Sequence, residues 1–102
     1  MKKVRVVIWN EFVHEREEGA AGDYIRTVYP AGIHACLAEK LAAADLEIRT
    51  ATLDEPGQGL PEPVLDETDV LVWWGHCAHD RVDDSLVDRV QQRILAGMMY
   101  IQ

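Results

Sequence analysis

Apolar positions along this chain fall into continuous runs and periodic ones. Lys3-Val4-Arg5-Val6-Val7-Ile8-Trp9 is β-branched and almost unbroken, which predicts a central strand buried on both faces of a parallel sheet. Val70-Leu71-Val72-Trp73-Trp74 is a second such run, bounded by the polar pair Thr68-Asp69 and by Gly75. Leu46-Glu47-Ile48-Arg49-Thr50-Ala51 alternates instead, as a strand near the sheet edge with one wetter face would. Ile33, Leu37 and Leu41 recur at helical spacing. They predict an amphipathic helix over about Pro30–Ala44, with Pro30 in its first turn. Leu86, Val87, Val90 and Ile94 mark a second helix, opened by Asp80, Asp83 and Asp84 and stopped by Gly97.

Between these runs the pattern lapses. Asn10 to Val28 has no sustained period and reads as a long loop, of a length that in compact domains tends to serve function. Its Glu15–Glu18 run reads as a solvated acidic face. Asp54 to Pro63 is a proline- and glycine-rich loop, Val64–Glu67 forms at most one helical turn, and Met98–Gln102 is the start of a further strand. The resulting order is strand, helix, strand, strand, helix. Its natural solution is an α/β domain with a parallel sheet and right-handed crossovers, the first strand lying between the second and third. Such a narrow sheet leaves edges bare. The expectation is that the outer edge of Val70–Trp74 stays open, so that the chain self-associates as a homo-oligomer or is the N-terminal portion of a larger domain.

The sequence has 102 residues, 48% hydrophobic and 27% charged, which bounds it to a single globular domain over residues 1–102. A formal net charge of −8 argues against nucleic acid or an anionic membrane as partner. No stretch approaches the length of a membrane span, and Met1-Lys2-Lys3 runs straight into the first strand rather than into a signal sequence. Cys36 and Cys77 make no disulfide framework, so a reducing cytoplasm is the default setting.

The candidate chemistry lies where strands end. In open α/β sheets ligands bind beyond the carboxyl ends of the strands. The four histidines, His14, His34, His76 and His79, all fall just past a strand or in the first turn of the next helix. His14, His76 and His79, with Glu11 or Asp80 as a further ligand, are the residue types that bind zinc. The same side chains without an ion would instead hydrogen-bond a ligand hydroxyl. For His34 a capping role stands beside a ligand role. Trp73 and Trp74 point to opposite faces. Core burial is the default for both, and an aromatic face at the strand end would stack on a ligand ring. Cys36 lies on the apolar stripe of its helix and reads as a buried structural thiol. Cys77 offers a soft ligand or a nucleophile only if a base or a lowered pKa accompanies it.

Trp9-Asn10-Glu11-Phe12-x-His14-Glu15, Tyr29-Pro30-x-Gly32-Ile33-His34 and Asp69-Val70-Leu71-Val72-Trp73-Trp74-Gly75-His76-x-x-His79-Asp80 together resemble the ThuA-like, trehalose-utilisation family, in the right order and up to Gly97. The resemblance implies a flavodoxin-like sheet of the class I glutamine amidotransferase type. It also implies a cytoplasmic protein of carbohydrate metabolism, with a small-molecule sugar or sugar derivative as ligand. Asn10, Glu11, His34, Trp74 and Gly75 then fall at substrate-binding positions. The chain departs from the family after Gly97, where members continue into a further buried strand, so it looks truncated. The amidotransferase relatives carry their nucleophilic cysteine beyond that strand, and Cys77 does not inherit the role. The alternative to a sugar-metabolising domain is an inactive fragment, or an assembly module whose sheet a partner completes.

Overall fold

The computed structural model describes residues 2–102. Its centre is a parallel sheet of β1 (Val4–Asn10), β2 (Leu46–Thr52), β3 (Val70–Trp74) and β4 (Met99–Ile101), in the order β2-β1-β3-β4. The two most continuously apolar runs thus take the two inner positions. Register pairs Val6 with Val70 and Ile8 with Val72, and Val70 with Met99. This is an α/β fold with the strand order of flavodoxin-like sheets.

Alternation along the strands divides the sheet into two faces. Val7, Trp9, Leu71 and Trp73 join Leu60, Leu65, Leu86 and Val90 in one buried cluster, beneath α3 (Glu62–Asp66) and α4 (Asp84–Leu95). Trp9 and Trp73 stack with ring centroids 3.7 Å apart, and the Trp9 indole N–H donates to the Gln58 carbonyl at 2.8 Å. That bond satisfies the one polar group such a ring carries into the core. Arg93 closes α3 by donating to the carbonyls of Leu65 and Thr68. On the other face α2 (Ile33–Leu41) packs against β1 and β2 and covers Val6 and Ile8, which are buried.

Several expectations change. Asn10–Val28 is not an unpatterned loop: residues 14–16 form a 3₁₀ turn and Ala20–Val28 forms helix α1. Ala20, Ala21, Tyr24, Ile25 and Val28 share one side of that helix, a stripe masked by the charges around it. Helix α2 begins at Ile33, because Gly32, its N-cap, sits at φ +97°. A Cβ on Gly32 would lie 2.5 Å from the His34 ring, so only glycine fits there. Cys36 is half-buried rather than buried. The outer edge of β3 is not open along its length, since β4 pairs with Val70, Leu71 and Val72. Among the described residues the outer strands are β2 and β4. Among the described residues no helix is long and apolar enough to cross a membrane.

Candidate functional site

The segments that follow β1 and β3 carry nearly all the candidate residues, and they leave neighbouring strands toward opposite faces of the sheet. The crevice between them is the topological switch point, where open parallel sheets bind ligands.

Glu11 anchors this crevice. It is 1% exposed, and its carboxylate lies in a nest of backbone N–H groups from the turn after β3. His76 N–H donates to Oε1 at 2.7 Å and Cys77 N–H to the same oxygen at 2.9 Å. Ala78 N–H donates to Oε2 at 2.7 Å, with Cys77 N–H a longer 3.3 Å from it. Consecutive amides turned inward in this way form an anion-binding concavity, and here the protein fills it with its own carboxylate. Burial pushes the Glu11 pKa up, but the amides of Cys77, Ala78 and His76 together outweigh it and hold the group below the usual carboxylate range.

A second buried network sits beside it. Asn10 is completely buried. Its Oδ1 accepts the Phe12 N–H at 3.0 Å, and its Nδ2 donates to Glu15 Oε2 at 2.6 Å, so the amide orientation is determined. The other Nδ2 proton therefore points at His34 Nδ1, 3.0 Å away. That nitrogen must accept, leaving His34 neutral with its proton on Nε2. Burial lowers the His34 pKa, opposed by the charges of Glu15 and Glu55, and this agrees with the neutral tautomer. Glu15 also accepts the Ile33 N–H at 2.9 Å, capping α2. Glu15 is thus buried and structural, not part of a solvated acidic face. Nothing in its sequence neighbourhood distinguishes it from Glu17 and Glu18, which are exposed.

The remaining candidates line the open side. Trp74, 40% exposed, holds its ring nearly parallel to that of His76, 8° between planes and 6.4 Å between centroids. His14 lies 5.1 Å from His76, ring to ring, and its Nδ1 is 3.1 Å from Glu17 Oε1. Gly75 permits the tight turn: a Cβ there would fall 2.6 Å from Trp73 Nε1 and 2.8 Å from His79 Nε2. His79 Nε2 and Trp73 Nε1 thus border the same side of Gly75. The metal-ligating atoms that do converge, within 4.8 Å of one another, belong to Glu11, His14 and Cys77. Of the expected trio His14, His76 and His79, only His14 belongs to this group. His76 borders it through the His14 ring, and His79 and Asp80 lie outside it. By type the three donors suit a borderline cation such as zinc. Glu11 is already well supplied with hydrogen bonds. Burial, and then the Glu11 charge, push the Cys77 thiol above its usual range, so the thiol is no activated nucleophile.

Fold and site define a small, all-parallel α/β domain with a crevice of histidines, carboxylates and aromatic rings at the β1/β3 switch point. No family model matches the chain, and no curated protein matches it.

Proposed function

We propose that the crevice between β1 and β3 binds a small sugar or sugar derivative, in the manner that the ThuA-like, trehalose-utilisation resemblance implies. One observation carries the proposal: the nearly parallel rings of Trp74 and His76 stand exposed at the switch point, in the turn whose amides hold the buried Glu11 carboxylate. An aromatic shelf takes the C–H face of a sugar ring, while the imidazoles of His14 and His76 exchange hydrogen bonds with its hydroxyls. Asn10 and Glu11 hold the two walls in place, and Gly75 permits the tight turn that carries His76. On this reading the protein works in the cytoplasm, where Cys36 and Cys77, both free thiols, stay reduced.

The convergence of Glu11, His14 and Cys77 favours a companion reading in which a divalent transition metal, zinc foremost, binds beside the shelf. Three protein donors leave a coordination position for a sugar hydroxyl or water. One thiolate and one carboxylate neutralise the dication.

Tryptophan fluorescence tests the sugar reading directly. Trp9 and Trp73 are buried, so a ligand at the shelf changes the emission of Trp74. Titration with trehalose, glucose and their derivatives should give a saturable change that Trp74→Ala abolishes. Absence of any saturable change, together with no saturation transfer from protein to sugar by NMR, would refute it.

A further inference from the structure

Of the three donors that converge in the crevice, Glu11 is held by amides and Cys77 lies in the turn that supplies them. His14 comes from the other wall. An imidazole ligates through one nitrogen, and the hydrogen bond made by the other nitrogen decides which. Whether His14 can act with Glu11 and Cys77 therefore depends on what its ring meets on the far side.

It meets Glu17. Residues 14–16 form a 3₁₀ turn, closed by the Glu17 N–H donating to the His14 carbonyl at 3.3 Å. Side chains three residues apart eclipse in such a turn, and Glu17 Oε1 lies 3.1 Å from His14 Nδ1. A carboxylate only accepts, so Nδ1 carries the proton and the lone pair of the neutral ring is on Nε2. Helix α1 fixes Glu17 in turn, through its polar side. Gly22 is buried against the Glu17 carbonyl, where a Cβ would overlap the oxygen. Arg26, one turn further on, donates to that carbonyl at 2.8 Å and to the Glu15 carbonyl at 3.0 Å.

We infer that Glu17 is the positioning residue of the metal reading of this crevice, the reading on which the inference rests. It holds His14 as the Nδ1–H tautomer, so that a divalent transition metal is bound through Nε2 together with Glu11 and Cys77. A carboxylate behind a ligating imidazole also raises its basicity toward the metal. The two side chains are 26% and 43% exposed, and an ion pair so open to water adds little stability. Its effect is therefore on the tautomer and on metal affinity, not on the fold.

Long-range ¹H–¹⁵N NMR of the metal-free protein at about pH 8, above the ordinary imidazole range, and titration with cobalt(II) test this together. His14 of the wild type should be the Nδ1–H tautomer. Glu17→Ala should lose that fixed tautomer and bind cobalt(II) about 10–100-fold more weakly, with unchanged circular dichroism. Glu17→Gln, whose amide oxygen still accepts from Nδ1, should keep the tautomer and most of the affinity. An Nε2–H tautomer in the wild type, or wild-type affinity in Glu17→Ala, would overturn the inference and leave the metal reading standing. So would equal losses in the two variants, which would make Glu17 itself a ligand. A wild type that gives no thiolate-to-cobalt band at all would sink the metal reading, and the inference with it.

Discussion

Glu11→Gln should cost far more stability than an isosteric change ordinarily does. Glutamine keeps one carbonyl oxygen for the amide nest and turns an NH₂ group toward the remaining N–H donors. A hydrogen bond to a charged acceptor contributes about 1.5–3 kcal/mol and a neutral one about 1 kcal/mol. The variant loses one side of the nest, at Ala78 N–H (2.7 Å) or at His76 N–H (2.7 Å), and weakens the other. Water can reach the exposed residues His76 and Cys77 and offsets part of this, so the net loss is about 2–4 kcal/mol. That is a large share of the roughly 5–15 kcal/mol typical of a domain, and it lowers Tm by roughly 10–20 °C. Urea unfolding followed by far-ultraviolet circular dichroism measures it. The pH dependence carries the same signature. The Glu11 pKa is depressed by folding, so its contribution is complete above the unfolded value of about 4.3 and is lost as pH falls through the lower folded value. The gap between wild type and Glu11→Gln should therefore narrow only in acid. A gap below about 0.5 kcal/mol at neutral pH, the noise of an ordinary surface substitution, would refute the anchoring role of this carboxylate.

Folding should hold the His34 pKa below the ordinary histidine value of about 6.5, because burial outweighs the charges of Glu15 and Glu55. The unfolded chain then takes up the proton first, so this contribution to stability is lost as pH falls from the unfolded value through the folded one. Long-range ¹H–¹⁵N NMR should show the Nε2–H tautomer at pH 7 and a midpoint below 6.5, and an Nδ1–H tautomer would contradict the Asn10 network. For the metal reading, cobalt(II) added to the protein should produce a thiolate-to-metal charge-transfer band with release of a proton. Cys77→Ser should abolish the band and Cys36→Ser should leave it. A band that survives Cys77→Ser, or none at all, rules out the Glu11–His14–Cys77 group as the site.

Hydrophobic patterning by itself determined the strands, their parallel sense and the inner position of β1, because a strand covered on both faces must be apolar at every position. It also placed α4, whose stripe and glycine stop are local signals. Helix α1 escaped it: an apolar stripe among charges looks like irregular loop unless its inward side is known, and here that side is the polar one. Strand β4 is only three residues long, and pairing with β3 rather than its own pattern makes it a strand. At the site, the sequence brought Glu11, His14 and His76 to one sheet edge through topology alone. It could not separate Glu15 from its acidic neighbours, since burial there depends on Asn10 and the α2 amide meeting it from elsewhere in the chain. Nor could it tell that Cys77, and not His79, joins Glu11 and His14 in the converging donor group. His76 and His79 lie three residues apart, but the turn at Gly75 and the 3₁₀ turn of residues 79–81 bring His79 Nε2, like Trp73 Nε1, against the Gly75 backbone. Spacing along a chain specifies distance only inside a regular element, and this site is made of turns.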